Sequence, residues 1–518
     1  TPQKVKVSSH RRHLWMRLNF KVKWGKELYK DVDVNTDLEP MVFKAQLYAL
    51  TGVQPARQKV MLKGQTLKDN DWGNIQITNG GTILLMGSKD DVPAEPDVKP
   101  VFVEDMNDAE LASASNLPAG LNNLGNTCYL NAVVQCLKSV PELRSALKQY
   151  EGGKAGNSNF SNFVTPSQSI TAALRDLYQV MDKGHNIPPI LLLQVLHIAF
   201  PRFAEKSESG SYVQQDAYEC WTELVRMLQQ KLPSKPNKDD SPITFKSFVE
   251  QYFGGSFDVE FKCTEADEPP STSTENFLEL SCFISTDVKY MMAGLQSKMQ
   301  EQLTKNSPTL GRDAVYTKTC KIRRLPAYLT VQFVRYVYKE KDKVNAKILK
   351  DIKFPYDFDT YELCSPELQK KLEPMRQKFK EFEDKQALEA TSGTGKKPIE
   401  KKKDVKYEPY WFEDDLGSNN SGYYTLQAVL THKGRLSSSG HYVAWVRSPS
   451  NPSMWIKFDD DVVTPITLEE VLKLSGGGDW HTAYVLLYGP RQLEIPESSE
   501  IKIEPSDKNG TNQSTPTS

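Results

Sequence analysis

One cysteine stands where a turn gives way to a helical pattern, a position at which a thiol becomes a nucleophile. Positions 125–127 are the turn-prone residues Gly, Asn and Thr, and Cys128 follows at the start of an apolar pattern with helical spacing. A helix N-terminus carries unpaired N–H groups and a partial positive charge. That charge favours the thiolate over the thiol, and the thiolate is the form that attacks. We therefore predict that Cys128 is a catalytic nucleophile.

A second polar side chain precedes this cysteine on the same loop. Asn123 lies five residues before Cys128, and its amide could donate a hydrogen bond to an oxyanion that forms above the sulfur. Asn123 is therefore the predicted oxyanion donor.

A cysteine nucleophile needs a base that a third group holds in place, and a histidine and an aspartate late in the chain meet that need. The sequence RSPSNPS, between two strand-like runs, is a strong turn signal. A hairpin centred on Ser450 places His441 opposite Asp459, close enough for a hydrogen bond. The same register pairs Trp445 with Trp455. A shift by one residue would place the histidine and the aspartate on opposite faces.

The segment before this histidine reads KGRLSSSG and occupies residues 433–440. We predict that it is a flexible polar loop that can open or cover the site. Gly440 at its end allows close backbone approach, so an extended substrate tail could pass beside His441.

The remaining cysteines give no sign of a further site. Cys136 lies eight residues after Cys128, which is about 12 Å along the same helix, and we predict that it belongs to the core. No two cysteines are spaced as C-x-x-C, so a structural zinc site is not expected. The sequence predicts no metal and no cofactor.

Composition limits the class of protein. The chain has 518 residues, too many for one ordinary domain. Its net charge of −1 gives no reason to expect a nucleic-acid partner. Its seven cysteines are too sparse for a disulfide framework, which favours a reducing compartment. The longest apolar run, at residues 190–200, is too short and too polar to span a bilayer, so no transmembrane segment is expected.

The first part of the chain resembles ubiquitin. Residues 1–17 form a basic extension of unknown role, and residues 18–87 read as strand, strand, helix, strand and strand. That order resembles ubiquitin, but MGSKDD replaces the diglycine end that conjugation requires. We therefore expect a ubiquitin-like β-grasp domain that serves as a fixed docking module. Another small α+β domain is the alternative.

The rest of the chain reads as a linker, a large domain and a tail. Residues 88–115 are rich in Asp, Glu, Pro and Ala, which is typical of a linker. Residues 116–491 are helical in their first half and strand-like in their second, which predicts an α+β fold. Residues 373–406 are predicted to be a charged surface insertion, partly helical and partly disordered, and residues 492–518 a disordered tail.

Three segments of the large domain read GLNNLGNTCYLNAVVQCL at 120–137, QQDAYECW at 214–221, and GHYVAWVR with WIKFDDDVV around His441 and Asp459. Together they resemble the sequence boxes of the ubiquitin-specific proteases. The resemblance implies a papain-like fold with thumb, palm and fingers. In that fold ubiquitin is gripped, and its C-terminal tail lies in the cleft.

The resemblance assigns the same roles to the residues already singled out: nucleophile for Cys128, base for His441, orienting carboxylate for Asp459 and oxyanion donor for Asn123. The implied reaction is hydrolysis of the isopeptide bond at the C-terminal glycine of ubiquitin.

The resemblance also implies substrate contacts. Gln214, Gln215 and Asp216 would help to shape the cleft. Asp460 would support Asp459 or the substrate tail.

For cofactors and partners the resemblance implies the following. Most relatives hold zinc with paired cysteines in the fingers, whereas this chain has the isolated Cys263 and Cys282, so no zinc is expected. The implied partners are ubiquitin, polyubiquitinated proteins and the regulatory particle of the 26S proteasome, on which the ubiquitin-like domain would dock. The expected location is the cytoplasm, and the nucleus stays open as a second one.

Two other classes of protein stay open. A non-catalytic scaffold could bind ubiquitin and the proteasome through the same surfaces, but it would not need a nucleophile, a base and an oxyanion donor. A general papain-like peptidase would explain these residues, but not the ubiquitin-like module.

Overall fold

The computed structural model describes residues 18–36, 38–69, 71–73, 79–88, 117–152, 165–184, 186–237, 243–339, 344–391, 406–436, 439–449, 451–478 and 480–495. The chain forms two compact units, Thr1–Asp105 and Met106–Ser518. Three predicted segments lie wholly or almost wholly outside the described residues: the basic extension, the linker beyond Ser88 and the tail beyond Ile495. The part of the charged insertion from 392 to 405 also lies outside them.

The first unit is a five-stranded mixed sheet with one helix. Its elements are β1 (Leu18–Trp24), β2 (Glu27–Val34), α1 (Pro40–Thr51), β3 (Lys59–Leu62), β4 (Gln65–Thr66) and β5 (Thr82–Met86). The strand order is β2-β1-β5-β3-β4, with β1 and β5 parallel. Helix α1 begins at a proline, whose fixed φ suits a first turn. It ends at Gly52 in the left-handed conformation. This is a β-grasp topology, as predicted.

The first half of the second unit is helical. Its helices are α2 (Cys128–Lys138), α3 (Pro141–Gln149), α4 (Pro166–Met181), α5 (Ile190–Ala199), α6 (Ala217–Lys231) and α7 (Phe248–Phe253). Further along the chain lie α8 (Met291–Met299), α9 (Pro366–Thr391) and α10 (Leu468–Leu472). Single 3-10 turns occur at Pro55–Arg57 in the first unit and, in the second, at Pro201–Ala204, Tyr361–Leu363 and Lys473–Ser475. Among the described residues, no helix is both long enough and apolar enough to cross a membrane.

The strands of the second unit form two large sheets and a short parallel pair. The pair is β6 (Gly120–Leu121) and β7 (Asn186–Ile187). One sheet has the order β11-β12-β8-β9, from β8 (Gly255–Cys263), β9 (Ser271–Phe277), β11 (Gln300–Ser307) and β12 (Arg312–Arg324). These four strands were not predicted from the sequence.

The other large sheet has ten strands. Its members are β10 (Glu279–Phe283), β13 (Leu329–Val334), β14 (Tyr336–Lys339), β15 (Val344–Lys347), β16 (Asp357–Asp359), β17 (Tyr423–Leu436), β18 (Ser439–Arg447), β19 (Trp455–Asp459), β20 (Val462–Ile466) and β21 (Thr482–Pro490). The main path is β10-β13-β21-β17-β18-β19-β20. The mixture of helices and sheets confirms the predicted α+β class.

The ten-stranded sheet separates two hydrophobic cores. In β18, Tyr442, Ala444 and Val446 face the core that contains helix α2. Val443 and Trp445 face the core on the other side. A strand that is covered on both faces reads as a continuous apolar run, which is why β18 carries such a run between His441 and its turn. His441 thus lies near the beginning of a strand that packs on helix α2.

Candidate active site

Cys128 is the first residue of helix α2, as predicted. Thr127 is the N-cap residue, and its Oγ1 accepts a hydrogen bond from the Leu124 N–H at 2.8 Å. The preceding turn is tight, because Gly125 and Asn126 both have positive φ, at 102° and 54°. Cys128 is buried, with 2% of its surface exposed. The thiol therefore sits at the positive end of a buried helix, where a thiolate is stabilised.

His441 lies between this thiol and a carboxylate. Its Nε2 is 2.6 Å from Oδ1 of Asp459, and its side chain is close enough to the Cys128 thiol for the two to interact. The Asp459 carboxylate, followed by the Cys128 thiol, raises the pKa of His441 to about 10. The His441 ring holds the pKa of Asp459 well below its ordinary range. The predicted bond between the imidazole and the carboxylate is confirmed.

The predicted register of the hairpin was wrong by two residues. Trp445 pairs with Lys457, and Arg447 pairs with Trp455, so the two tryptophans do not face each other. The turn centres on Asn451 instead, because Ser448 N–H donates to Met454 O at 2.9 Å and closes a wider loop. An even shift keeps the side chains on their predicted face.

This even shift explains why His441 and Asp459 still meet. They are diagonal neighbours across β18 and β19 rather than directly opposite, and diagonal pairs stay within reach of long side chains. Lys457, two residues before Asp459 on the same face, donates to its other oxygen at 2.7 Å. Lys457 was not among the predicted site residues, although strand alternation places it on the same face as Asp459.

Asn123 reaches the site through its amide nitrogen. Its Oδ1 accepts bonds from the N–H groups of Gly125, at 3.0 Å, and Thr127, at 3.2 Å. These bonds orient the amide, and Nδ2 donates one hydrogen bond to Asp460 Oδ2 at 2.8 Å. An amide nitrogen carries two hydrogens, so the second can point to an oxyanion above Cys128.

Asp460 joins the cysteine loop to the β19–β20 turn. Besides Asn123, its carboxylate accepts a bond from Asn131 Nδ2 at 2.8 Å, and its backbone oxygen accepts one from Leu121 N–H at 3.0 Å. Its φ of 56° lies in the left-handed region, which is uncommon for a residue with a side chain. Asp460 therefore positions the oxyanion residue rather than Asp459, and no local sequence pattern indicates its contact with Asn131.

Of the predicted cleft residues, Asp216 has the most bonds. It caps helix α6 through the N–H groups of Tyr218 and Glu219, and its carboxylate accepts the Tyr484 hydroxyl at 2.9 Å. Burial raises the pKa of Asp216, although these bonds oppose the rise. Its position thus fixes the start of α6 against the sheet.

The two glutamines before Asp216 have few bonds of their own. Gln214 is buried, and its Nε2 has no hydrogen-bond partner within the described part of the chain. Gln215 Nε2 lies 3.5 Å from Val213 O. Both side chains could therefore bind another group in this region.

The predicted loop before His441 was wrong where the structure describes it. Residues up to Leu436 continue β17, and β18 begins at Ser439. Gly434 and Gly440 have φ of 126° and 138°, so two glycines supply the backbone freedom that lets a hairpin form in a polar segment. Positions 437 and 438 lie outside the described residues.

The two cysteines considered for zinc lie apart. Cys263 ends β8 of the four-stranded sheet, and Cys282 lies in β10 of the ten-stranded sheet. Both are buried free thiols. Within the described ranges, no group of three or more His, Cys, Asp and Glu side chains could hold a metal ion.

The arrangement can carry out acyl transfer. A thiol, an imidazole that contacts it and a carboxylate that orients the imidazole are the parts of nucleophilic catalysis by cysteine. An amide N–H held by two backbone bonds adds a donor for the oxyanion.

Comparison with known proteins agrees with this chemistry. Residues 119–488 match the family described as ubiquitin carboxyl-terminal hydrolase. The chain belongs to that family and is a cysteine-type deubiquitinase. It is 40% identical to ubiquitin carboxyl-terminal hydrolase 7 of Arabidopsis thaliana, over 92% of this chain and 100% of that protein. It is 41% identical to ubiquitin carboxyl-terminal hydrolase 14 of Caenorhabditis elegans, over 92% of this chain and 94% of that protein.

A solved structure is similar in fold to much of this chain. It is a chain of the SAGA Ubp8/Sgf11/Sus1/Sgf73 DUB module bound to ubiquitin aldehyde. The match has a TM-score of 0.50 and 22% sequence identity, and covers 76% of this chain and 73% of that one. The similarity is one of fold.

We expect Asn123→Ala to lower kcat about 10²–10³-fold, since single oxyanion donors contribute that much elsewhere. KM should change little, because the amide acts on charge that develops in the transition state. Asp460→Ala should lower kcat in the same way but less, because Asn123 keeps its two backbone bonds. Both are measured on a fluorogenic ubiquitin substrate. A rise in KM alone for Asn123→Ala would contradict the assigned role.

Gly440→Ala should lower activity about 10²-fold, because a small misplacement of His441 is costly. A Cβ at this position would lie 2.2 Å from Lys433 O and 2.5 Å from His432 Nε2. The matched control is Gly311→Ala, which also has positive φ but has open space around its Cβ position. Equal activity of the two variants would show that the close packing at Gly440 is not needed.

Proposed function

We propose that this protein hydrolyses the isopeptide bond between the C-terminal glycine of ubiquitin and a lysine of a conjugate. It would release ubiquitin at the proteasome before the conjugate is degraded. The observation that carries the proposal is the contact of His441 with both Cys128 and Asp459. In this proposal Cys128, His441, Asp459 and Asn123 are the catalytic residues.

The first half of the reaction forms a thioester. The Cys128 thiolate attacks the glycine carbonyl, and the oxyanion accepts bonds from the Asn123 amide and the Cys128 N–H. His441 carries a proton near neutral pH, because Asp459 and Cys128 raise its pKa. It gives this proton to the lysine amine as the C–N bond breaks. The product is ubiquityl thioester and a free amine.

The second half releases ubiquitin. His441, now neutral, takes a proton from a water molecule that attacks the thioester carbonyl. The tetrahedral intermediate uses the same oxyanion donors, and its collapse returns the thiolate. Asp459 holds the ring in one tautomer through both halves.

Support for ubiquitin as the substrate comes from the relatives. Their names state ubiquitin carboxyl-terminal hydrolase activity, and the similar DUB module was solved with ubiquitin aldehyde. Gln214, Gln215, Asp216 and Gly440 would bind the substrate tail.

Support for the proteasome comes from the first unit. Its β-grasp fold without a diglycine end suits a docking module, and its sheet exposes Leu84 and Met86. The proposed location is the cytoplasm, where conjugates and proteasomes meet, with the nucleus as a second one. No cofactor enters the mechanism.

The direct test measures cleavage of a fluorogenic ubiquitin substrate, with and without purified proteasomes. Cleavage should be lost in Cys128→Ala and kept in Cys320→Ala, a buried cysteine of the four-stranded sheet. Cleavage of the ubiquitin substrate by Cys128→Ala would contradict the proposal. A ubiquitin that carries a C-terminal electrophile should label the wild type at Cys128, whereas a non-catalytic scaffold would bind without labelling. Casein digestion would instead reveal a general peptidase.

A further inference from the structure

A cavity of about 860 Å³ lies at the end of helix α2 that is remote from the thiol. Gln135, Lys138 and Ser139 line it at the C-terminal end of this helix, and Ile456 and Phe458 line it from β19. That end of the helix is about 15 Å from Cys128, at about 1.5 Å per residue. None of the proposed catalytic residues lines the cavity, so it is separate from the active site.

Three cationic side chains line the cavity without a carboxylate partner in the described part of the chain: Arg144, Lys183 and Arg447. The Nε of Arg144 is buried and makes no hydrogen bond to any described residue. A buried guanidinium nitrogen without an acceptor is costly. This Nε is closed off from the cavity, so the terminal nitrogens of Arg144 are the ones that would contact a bound anion.

The acidic side chains of the lining do not neutralise these cations. The lining holds five Lys and Arg residues against three Asp and Glu residues. Asp182 is already held by Lys138 at 2.7 Å, and Asp357 accepts the Thr425 hydroxyl at 2.9 Å. The cavity therefore carries a net positive charge around Arg144, Lys183 and Arg447.

The rest of the lining suits an apolar or aromatic group of a ligand. Leu117, Met181, Tyr328 and Tyr356 line the cavity. Arg447 lies 5.6 Å from the centre of the Tyr356 ring. Its Nε donates to Pro452 O at 3.0 Å, which holds the guanidinium group in place. A fixed arginine fork matches the oxygens of a phosphate.

We propose that this cavity binds a phosphorylated small molecule of about nucleotide size. Arg144, Lys183 and Arg447 would bind the phosphate groups, and the tyrosines would contact the ring. The volume is within the range of small-molecule sites, roughly 300–1,000 Å³. The net positive lining selects an anion, and the apolar walls select an organic phosphate over inorganic phosphate.

The test is isothermal titration of the full chain with four probes: ATP without Mg²⁺, inorganic tripolyphosphate, adenosine and a hexaglutamate peptide. ATP should bind, tripolyphosphate should bind more weakly, and adenosine should bind least. Arg144→Met and Arg447→Met should each weaken ATP binding by about tenfold or more, since each loses charge-assisted hydrogen bonds. The matched control Arg226→Met, an exposed arginine paired with Glu223 away from the cavity, should bind ATP as the wild type does.

The stability of the Arg144→Met variant distinguishes a ligand-binding role of Arg144 from a structural one. If Arg144 serves the ligand, Arg144→Met should unfold at the same or a higher denaturant concentration than the wild type, because it removes an unsatisfied buried donor. If Arg144→Met fails to fold, Arg447→Met decides the question.

The proposal would be overturned if ATP did not bind at millimolar concentration, or if Arg447→Met left its binding unchanged. Tighter binding of hexaglutamate than of ATP would also overturn it, in favour of an acidic peptide. None of these measurements involves ubiquitin, so their failure is distinct from failure of the proposed deubiquitinase mechanism.

Discussion

Asp459→Asn is expected to lower kcat about 10³–10⁴-fold, as the matching change does in other triads. The amide fits the same space, but it can donate a hydrogen bond to the ring, so it favours the wrong tautomer of His441. Affinity for free ubiquitin should not change, because Asp459 acts on the imidazole. Wild-type kcat in this variant would show that Asp459 does not orient the base.

The same variant should shift the alkaline limb of the pH profile. In the wild type, Asp459 and Cys128 raise the pKa of His441 from 6.5 to about 10. Without the carboxylate this pKa falls toward its ordinary value, so the ring loses its proton at lower pH. The alkaline limb of kcat/KM should then move from near pH 10 toward neutral pH, and alkylation of Cys128 by iodoacetamide gives an independent reading.

The interaction of His441 with Asp459 also makes the stability of the fold depend on pH, and the two residues respond to pH in opposite directions. His441 has a raised pKa, so its contribution to stability is fully present below pH 6.5 and is lost as the pH rises through about 10. Asp459 has a lowered pKa, so its contribution is present above its ordinary value of 3.8 and is lost as the pH falls below it. The interaction of His441 with Asp459 therefore stabilises the fold most between pH 3.8 and pH 6.5, the ordinary pKa values of the two side chains.

The second large effect concerns stability: Arg324→Ala is expected to lower the free energy of unfolding by about 3–5 kcal/mol. Two nitrogens of Arg324 bind the two oxygens of Asp415, at 2.9 and 2.7 Å. Arg324 also donates to the carbonyls of Gln251 and Gly254 at the end of helix α7. Its removal leaves a buried carboxylate and two carbonyls unpaired.

The neighbouring arginine provides the matched control. Arg323 pairs with Asp258 at 3.3 Å, and both side chains are largely exposed, at 63% and 42%. Arg323→Ala should therefore change stability by less than about 1 kcal/mol. Guanidinium unfolding followed by tryptophan fluorescence compares the two. If both variants unfold at the wild-type midpoint, the ion pair of Arg324 with Asp415 does not stabilise the fold.

The sequence predicted the active site better than it predicted the hairpin that builds it. The helix start at Cys128 follows from local signals, namely a turn and an apolar period. The contact of His441 with Asp459 depends on register, and the register was wrong by two. Alternation along a strand constrains the face, whereas loop geometry sets the register, and the width of the loop was not readable from RSPSNPS.

The four-stranded sheet was not predicted, for a different reason. Strand β9 reads STSTENF, and six of its seven residues are exposed. Polar strands lack the apolar alternation that identifies a strand. They are held by ladder bonds and by a small core of Cys263, Ala314 and Tyr316, and that core forms only when distant segments pair.

The position of Asp460 could not be predicted from local pattern either. Its bonds to Asn123 and Asn131 span more than 300 residues of sequence. No periodicity links segments so far apart, so only the packed structure shows that the β19–β20 turn orients the oxyanion residue.

The last strand of the large sheet, β21, has a consequence for the synthesis of this protease. It lies between β13 and β17, and all nine of its residues are buried. A nascent chain that has already emerged beyond Asp459 still lacks this central strand, so β17 and β18 cannot dock on β13. The ten-stranded sheet that carries His441 therefore cannot be completed until Pro490 has been translated.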